Sequence, residues 1–465
     1  MGDSENLVVK RSTALGGKTW LNILLFGFMG QLAWAMENMY YSTYIQKNIT
    51  ADSWATSLTV AFSAIAAAVS TILTAAWTDR VGKRRAFVCW GYILWGIVCG
   101  AFALFGSKHV AAAGVIGAVI LFVIMDCVMS AIGSMANDAA FSAWITDVTD
   151  VTNRGFVDTI LSLMPLIALM VILAAFSPLA APVEEGGNWA LFFLIIGGLT
   201  LAAGLVGLFT FKDSKKLKPT TGEGYLREVL YAFRPKNIKA NKMIYICFLG
   251  MMFSSLAMQL WQPYMINLIQ VTLGIDNYIV PVAIVIVSAS LLSVLAGKLM
   301  DHFGKEKFYY PVAAIQVIGG LMVYSSKFFG NEFLLLAVGG SLIMAGNLTM
   351  AGLFTASSRD YTPEGRAGAS QSVKMIIYVM LPMVLASLIC PLIINGVALE
   401  PTAEILAKYP EFEGSYLYPH ELYLGAAIAA LFIFIPAFIV RKDANRIRKE
   451  KLEEVKKDSE EAQNE

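Results

Sequence analysis

The stretch Ala75-Ala76-Trp77-Thr78-Asp79-Arg80-Val81-Gly82-Lys83-Arg84-Arg85 returns in looser form as Gly297-Lys298-Leu299-Met300-Asp301-His302-Phe303-Gly304-Lys305. Asp79, Gly82 and Lys83 meet Asp301, Gly304 and Lys305 at an offset of 222 residues. Each copy lies between two long apolar runs, so each reads as a charged loop joining hydrophobic helices. The glycine permits a tight turn, and the aspartate can face a helix N-terminus or a cation. Basic residues alone would mark only a loop in water. An acid at fixed spacing from a glycine, twice, points to a duplicated chain.

Outward from these loops the sequence is hydrocarbon. Of 465 residues 57% are apolar and 15% charged, with a mean hydropathy of +0.63. Soluble proteins average roughly 45–50% apolar and about 25% charged. A membrane-spanning helix needs roughly 20 apolar residues. Twelve such runs are read at 20–45, 53–77, 86–106, 116–145, 156–181, 189–211, 243–269, 278–299, 309–326, 332–355, 369–395 and 421–440. The first is too long for a signal peptide, so it is read as a span. The fold class is an all-α membrane protein.

Lys and Arg orient it. With the N-terminus inside, 30 of the 35 fall on the cytoplasmic side, and only Lys47, Lys108, Lys327 and Lys408 fall outside. The positive-inside rule then puts both termini in the cytoplasm, in a multi-pass protein of the cell membrane. The longest inner loop divides the runs six and six. The expected organisation is an N-terminal bundle over 1–211, a central loop over 212–242, a C-terminal bundle over 243–440 and a charged tail over 441–465. In the central loop Leu226, Val229, Leu230 and Phe233 sit at helical spacing, as in a short amphipathic helix on the membrane face or an ordinary surface helix. The offset of 222 also pairs Phe26 with Phe248 and Met29 with Met251. Near the fourth and tenth runs it becomes 210, pairing Asn137 with Asn347 and Asp150 with Asp360.

The loop Asp79 to Arg85 resembles the major facilitator superfamily signature G-x-x-x-D-R-x-G-R-K/R-K/R, with Ala75 in place of the first glycine. The resemblance implies twelve transmembrane helices in two pseudo-symmetric six-helix bundles, with a site between the halves near the midplane. Asp147, Asp150 and Arg154 in one loop, and Arg359, Asp360 and Arg366 in its repeat, form acid–arginine arrays. These arrays, Arg234-Pro235-Lys236, and the stretch Ala136-Asn137-Asp138 to Asp147 resemble the glycoside–pentoside–hexuronide cation symporters and the related sucrose-type permeases. That family uses acids of its second and fourth helices for a coupling ion. Here the second run has no acid between Asp52 and Asp79, only Thr56, Thr59, Ser63, Ser70 and Thr74, which favours a proton over sodium. The resemblance makes Asp79, Arg80, Gly82, Arg84, Asp147, Asp150, Arg154, Asp301, Gly304, Lys305, Asp360 and Arg366 a candidate cytoplasmic gate.

Ionisable groups inside the runs cost about 2.5–3.5 kcal/mol each on insertion scales, so each should face protein or a wet cavity. Glu37 shares a helical face with Tyr40, Tyr41 and Tyr44. Its repeat position carries Gln259, followed by Trp261, Gln262 and Asn267. Carboxylate, amides and rings suit a polyhydroxylated ligand. The fourth run carries Asp126, Ser130, Gly133, Ser134, Asn137, Phe141 and Trp144 on one stripe, with Asp138 adjoining. Asp138, then Asp126 and Glu37, are the candidates for the coupling ion; helix-packing acids are the plainer alternative. Lys374 has Gln371 and Tyr378 on its face, and either snorkels to the interface or pairs with a carboxylate. The substrate-site candidates are Glu37, Tyr41, Asn137, Gln259, Gln262, Asn347, Lys374 and Tyr378.

Other classes find no support. Cys89, Cys99, Cys127, Cys247 and Cys390 lie in apolar runs without CxxC spacing, and His109, His302 and His420 fall in loops without a metal motif. Gly16-Gly17-Lys18-Thr19 ends like a phosphate loop, but Ser12 replaces the leading glycine. A net charge of +1 gives no basis for nucleic-acid binding. The expectation is a monomeric secondary active transporter, not an enzyme and without cofactor, that moves a sugar or glycoside with a proton by alternating access. An exporter of amphipathic compounds or a uniporter is the alternative.

Overall fold

The computed structural model describes residues 15–105, 107–149, 153–180, 187–214, 234–361 and 373–446. Twelve helices within them are long and apolar enough to cross a membrane. They are α1 (Gly17–Asn48), α2 (Ser53–Ala75), α3 (Arg85–Leu104), α4 (Ala113–Val148), α5 (Ile160–Ala180), α6 (Trp189–Thr210), α7 (Lys242–Thr272), α8 (Ile279–Met300), α9 (Tyr309–Phe329), α10 (Glu332–Asp360), α11 (Met375–Val397) and α12 (Glu421–Arg446). Among the described residues there is no strand. Every expected span is present, most of them displaced by only a few residues at their ends. The amphipathic segment around 226–233 lies outside the described residues, as do Asp150, Gln371 and Arg366.

The helices keep large apolar side chains outward. Phe209 is 83% exposed and Phe329 81%. Lipid is the solvent that tolerates such faces, and a helix satisfies its backbone groups internally, as hydrocarbon demands. Where a helix departs from regular α geometry, the cause is local. In α7 the α-helical segment Lys242–Gln259 ends just before Pro263, which has no N–H to give, and the chain passes through a 3₁₀ turn at Gln262–Tyr264. Five π-helical stretches occur among the described residues, three of them at Glu37–Tyr41, Ser134–Phe141 and Met375–Met380. Such bulges often mark functional positions.

The chain forms two compact units. One comprises Met1–Tyr40, Ala66–Gly114 and Ile120–Glu223; the other comprises Tyr41–Ile65, Val115–Val119 and Gly224–Glu465. In the first, α3 and α6 meet backbone to backbone. A Cβ on Gly96 would stand 2.5 Å from the Gly197 carbonyl oxygen, and one on Gly197 would stand 2.7 Å from that of Gly96. In the second, Gly319 of α9 and Gly339 of α10 do the same, at 2.6 and 2.8 Å. Small residues let helices approach where no hydrophobic force drives them together. The second unit also holds a polar seam from α1 and α2 to α7. Gln46 donates to Thr56 Oγ1 at 3.1 Å and to the Pro263 carbonyl at 3.2 Å, and accepts from Asn267 at 3.1 Å. Ser57 meets the Tyr264 hydroxyl at 2.9 Å.

Candidate functional site

In the first unit the intramembrane acids gather on α4. Its π-helical stretch puts Ser134, Asn137 and Asp138 on adjoining turns. Ser134 Oγ donates to Asp138 Oδ2 at 3.0 Å, and Asn137 Nδ2 donates to Asp138 Oδ1 at 3.1 Å. One turn earlier, Ser130 Oγ donates to Glu37 Oε1 of α1 at 2.8 Å. Glu37 and Asp138 lie close enough to repel each other when both are charged. Neither has a basic partner among the described residues. Glu37 Oε2 is buried and has no hydrogen-bond partner among the described residues. Asp126 is 1% exposed. Its charge and that of Glu37 both reach Cys99 and Cys127, which places the two acids in one neighbourhood.

Asn137 also ties three helices together. The Tyr92 hydroxyl of α3 lies 2.7 Å from the Phe26 carbonyl oxygen of α1 and 2.9 Å from Asn137 Oδ1, one proton shared by two acceptors. Tyr92 lies in an apolar stretch and was not singled out by sequence. Its only cue there is a hydroxyl in an otherwise hydrocarbon run.

The second unit repeats that tie without acids. Asn347 of α10 donates to the Ser254 carbonyl at 2.9 Å and to its hydroxyl at 3.1 Å. Gln316 of α9 donates to the same carbonyl at 3.0 Å and accepts from Ser254 Oγ at 2.9 Å. Lys374, just ahead of α11, donates to Thr355 Oγ1 at 3.0 Å, with its nitrogen 5.7 Å from the centre of the Tyr378 ring. Gln259 and Gln262 are half-buried on either side of the α7 break, and Tyr41 is buried. Of the substrate candidates, Glu37 and Asn137 thus belong to the first unit and the rest to the second.

The charged loops form ion pairs inside each unit. Arg84 is buried, and its Nε donates to Asp147 Oδ2 at 3.2 Å, with Nη1 on Thr78 Oγ1. Asp213 Oδ1 accepts the backbone N–H groups of Arg84 and Arg85, each at 2.8 Å, and so caps the N-terminus of α3. Sequence reasoning missed this acid because it caps a helix about 130 residues away. In the repeat, Lys305 pairs with Asp360. Gly82 and Gly304 both take left-handed backbone angles, φ +64° and +89°, so the repeated glycine serves a repeated turn. Arg80 is exposed. The side chains of Asp79, Arg154 and Asp301 lie outside what the structure describes.

The family model described as Major Facilitator Superfamily matches residues 23–387. No curated protein matches the chain. Among solved structures, it is similar to a D-xylose–proton symporter at a TM-score of 0.67 and 17% identity, covering 89% of this chain and 97% of that one. A bacterial homologue of the human lysosomal transporter Spinster, in an inward-facing and occupied conformation, gives 0.64 and 15%, covering 93% and 98%. The nucleoside transporter NupG gives 0.64 and 12%, covering 90% and 99%. Identities this low speak for the fold alone. The family match spans well over half of the sequence, and the chain belongs to the Major Facilitator Superfamily: it is a membrane transporter and not an enzyme.

Proposed function

We propose that the chain is a secondary active transporter that carries a sugar or glycoside in symport with a proton, by alternating access of its two repeats. One observation supports this most: Asp138 and Glu37 sit in membrane-spanning helices with hydroxyl and amide donors around them and no basic partner among the described residues. A carboxylate in that setting is too costly to leave charged and uncompensated, so it takes up a proton or another cation. The hydroxyl-bearing, acid-free middle of α2 favours the proton.

The amides and rings of Gln259, Gln262, Tyr41 and Tyr378 suit sugar hydroxyls, and similarity to a D-xylose–proton symporter supports the same reading. Lys374 adds a donor beside Tyr378. In this proposal the chain sits as a monomer in the cell membrane with both termini cytoplasmic. Its bundles are 1–211 and 243–440, and the loops at Asp79–Arg85, Asp147–Arg154, Asp301–Lys305 and Asp360–Arg366 form the inner gate.

The test is uptake of a panel of radiolabelled sugars into proteoliposomes under an imposed pH gradient. The expected result is uphill accumulation of at least one sugar that collapses with the gradient. Accumulation indifferent to the gradient, or driven by sodium instead, would overturn the proton; no transport across the panel would overturn the sugar.

A further inference from the structure

We infer that Glu37 and Asp138 are the two halves of a single cation site that holds one proton per transport cycle, with Ser130 and Ser134 as its positioning residues. The inference rests on the proposed coupling and deepens it, because it fixes how many protons move and which atoms receive them. Ser130 and Ser134 stand four residues apart on α4, so both hydroxyls lie on one face one turn apart. Each is fully buried, and each holds one carboxylate: Ser130 holds Glu37 Oε1 at 2.8 Å and Ser134 holds Asp138 Oδ2 at 3.0 Å. Asn137 fixes the second oxygen of Asp138. Three of the four carboxylate oxygens therefore have a donor. The fourth, Glu37 Oε2, is buried with none among the described residues. That oxygen is where a proton can be received without displacing an existing bond.

The charges lead to the same count. Two carboxylates that repel each other cannot both stay ionised in a low-dielectric setting, and one proton between them relieves most of that repulsion. Binding changes the pair from two negative charges to one; release on the opposite side restores them. Among the described residues, the other titratable groups around the pair include Asp126 of α4 itself, Cys127 of α4, Cys99 of α3 and Tyr92 of α3. None of these donates to Glu37 Oε2. The π-helical stretches Glu37–Tyr41 and Ser134–Phe141 each contain one of the two acids, as expected where helix geometry is bent to bring side chains together.

Two measurements test this. In proteoliposomes with D-xylose as the probe sugar and the membrane potential clamped at zero, one proton per cycle predicts an accumulation ratio that rises tenfold per unit of pH gradient. Two independent sites predict a hundredfold rise, which would overturn the single site and leave the symport reading intact. The second measurement needs no sugar. Purified protein treated with a hydrophobic carbodiimide, which reacts with protonated carboxyls, should carry one adduct per chain, on Glu37 or on Asp138. Chains labelled at both residues, or at neither, would overturn the inference whatever D-xylose does. D-xylose that moves without regard to the pH gradient, with single labelling retained, would instead remove the proposed function and keep the shared site. Ser130→Ala, which removes the donor that favours the charged form of Glu37, should move the adduct from Asp138 towards Glu37, and Ser130→Thr should restore the parent distribution. An unchanged distribution in Ser130→Ala would remove the positioning role.

Discussion

Helices α4 and α10 occupy matching places in the duplicated sequence, and their polar groups have diverged. Asn137 and Asn347 correspond at the offset of 210, and each joins a three-helix node: Asn137 accepts from Tyr92, whose hydroxyl also reaches the Phe26 carbonyl, and Asn347 donates to Ser254, which Gln316 also bonds. Around Asn137 the first repeat adds Asp126, Ser130, Ser134 and Asp138; the same offset places Leu336, Gly340, Met344 and Leu348 around Asn347. Glu37 is answered by Gln259 at the offset of 222. Helix α4 carries a π-helical stretch beside its acid, whereas Glu332–Asp360 is regular α-helix throughout. Duplication kept the asparagine tie and left acids beside it in one repeat only. A feature common to both repeats is scaffold; a feature confined to one is a candidate for work that the scaffold does not need.

The sharpest way to break that contrast is to neutralise the acid. Asp138→Asn should abolish uphill, pH-driven uptake while leaving downhill sugar exchange, measured with labelled sugar in proteoliposomes; full accumulation by the variant would return Asp138 to a packing role. Next in size are the helix contacts. Gly96→Leu should cost stability at or above the upper end of about 1–3 kcal/mol, because the new side chain meets the Gly197 backbone, and thermal melting in detergent would register it. A smaller loss, about 1 kcal/mol, is expected for Asn347→Ala, which leaves Ser254 with fewer partners. Its uptake should keep the parent's response to the pH gradient, whereas a changed response would mean that the asparagine tie belongs to the coupling site after all.

The smallest effect lies outside the spans. Burial holds His420 below its ordinary value of 6.5, against the opposing pull of Glu421 and Glu332 and with help from Lys327. Its neutral form is thus favoured in the fold. The stability it contributes is complete above pH 6.5 and is lost as pH falls from there through the lowered value. His420→Gln should flatten that part of the melting-temperature profile, compared at pH 5 and 7.5.

The twelve spans were legible because hydrocarbon leaves the chain so few choices: roughly 20 apolar residues per crossing and charges between. The repeated Gly82 and Gly304 were legible for the same reason, since a tight turn needs a particular backbone angle. The partners were harder to read. Tyr92 and Gln316 fill corresponding places in the two asparagine ties, yet stand 224 residues apart, two off the offset that relates the loops. Asp213 reaches a helix start that nothing near it in the chain announces.

Composition and periodicity by themselves determined that this chain lives in a membrane, crosses it twelve times and is built from two related halves. Those properties depend on local chemistry, residue by residue, against the solvent. Only tertiary structure decided that Ser130 meets Glu37, that Ser134 and Asn137 hold Asp138, and that Arg84 turns to Asp147. A hydrogen bond is fixed by distance and direction between helices, and a linear sequence carries neither.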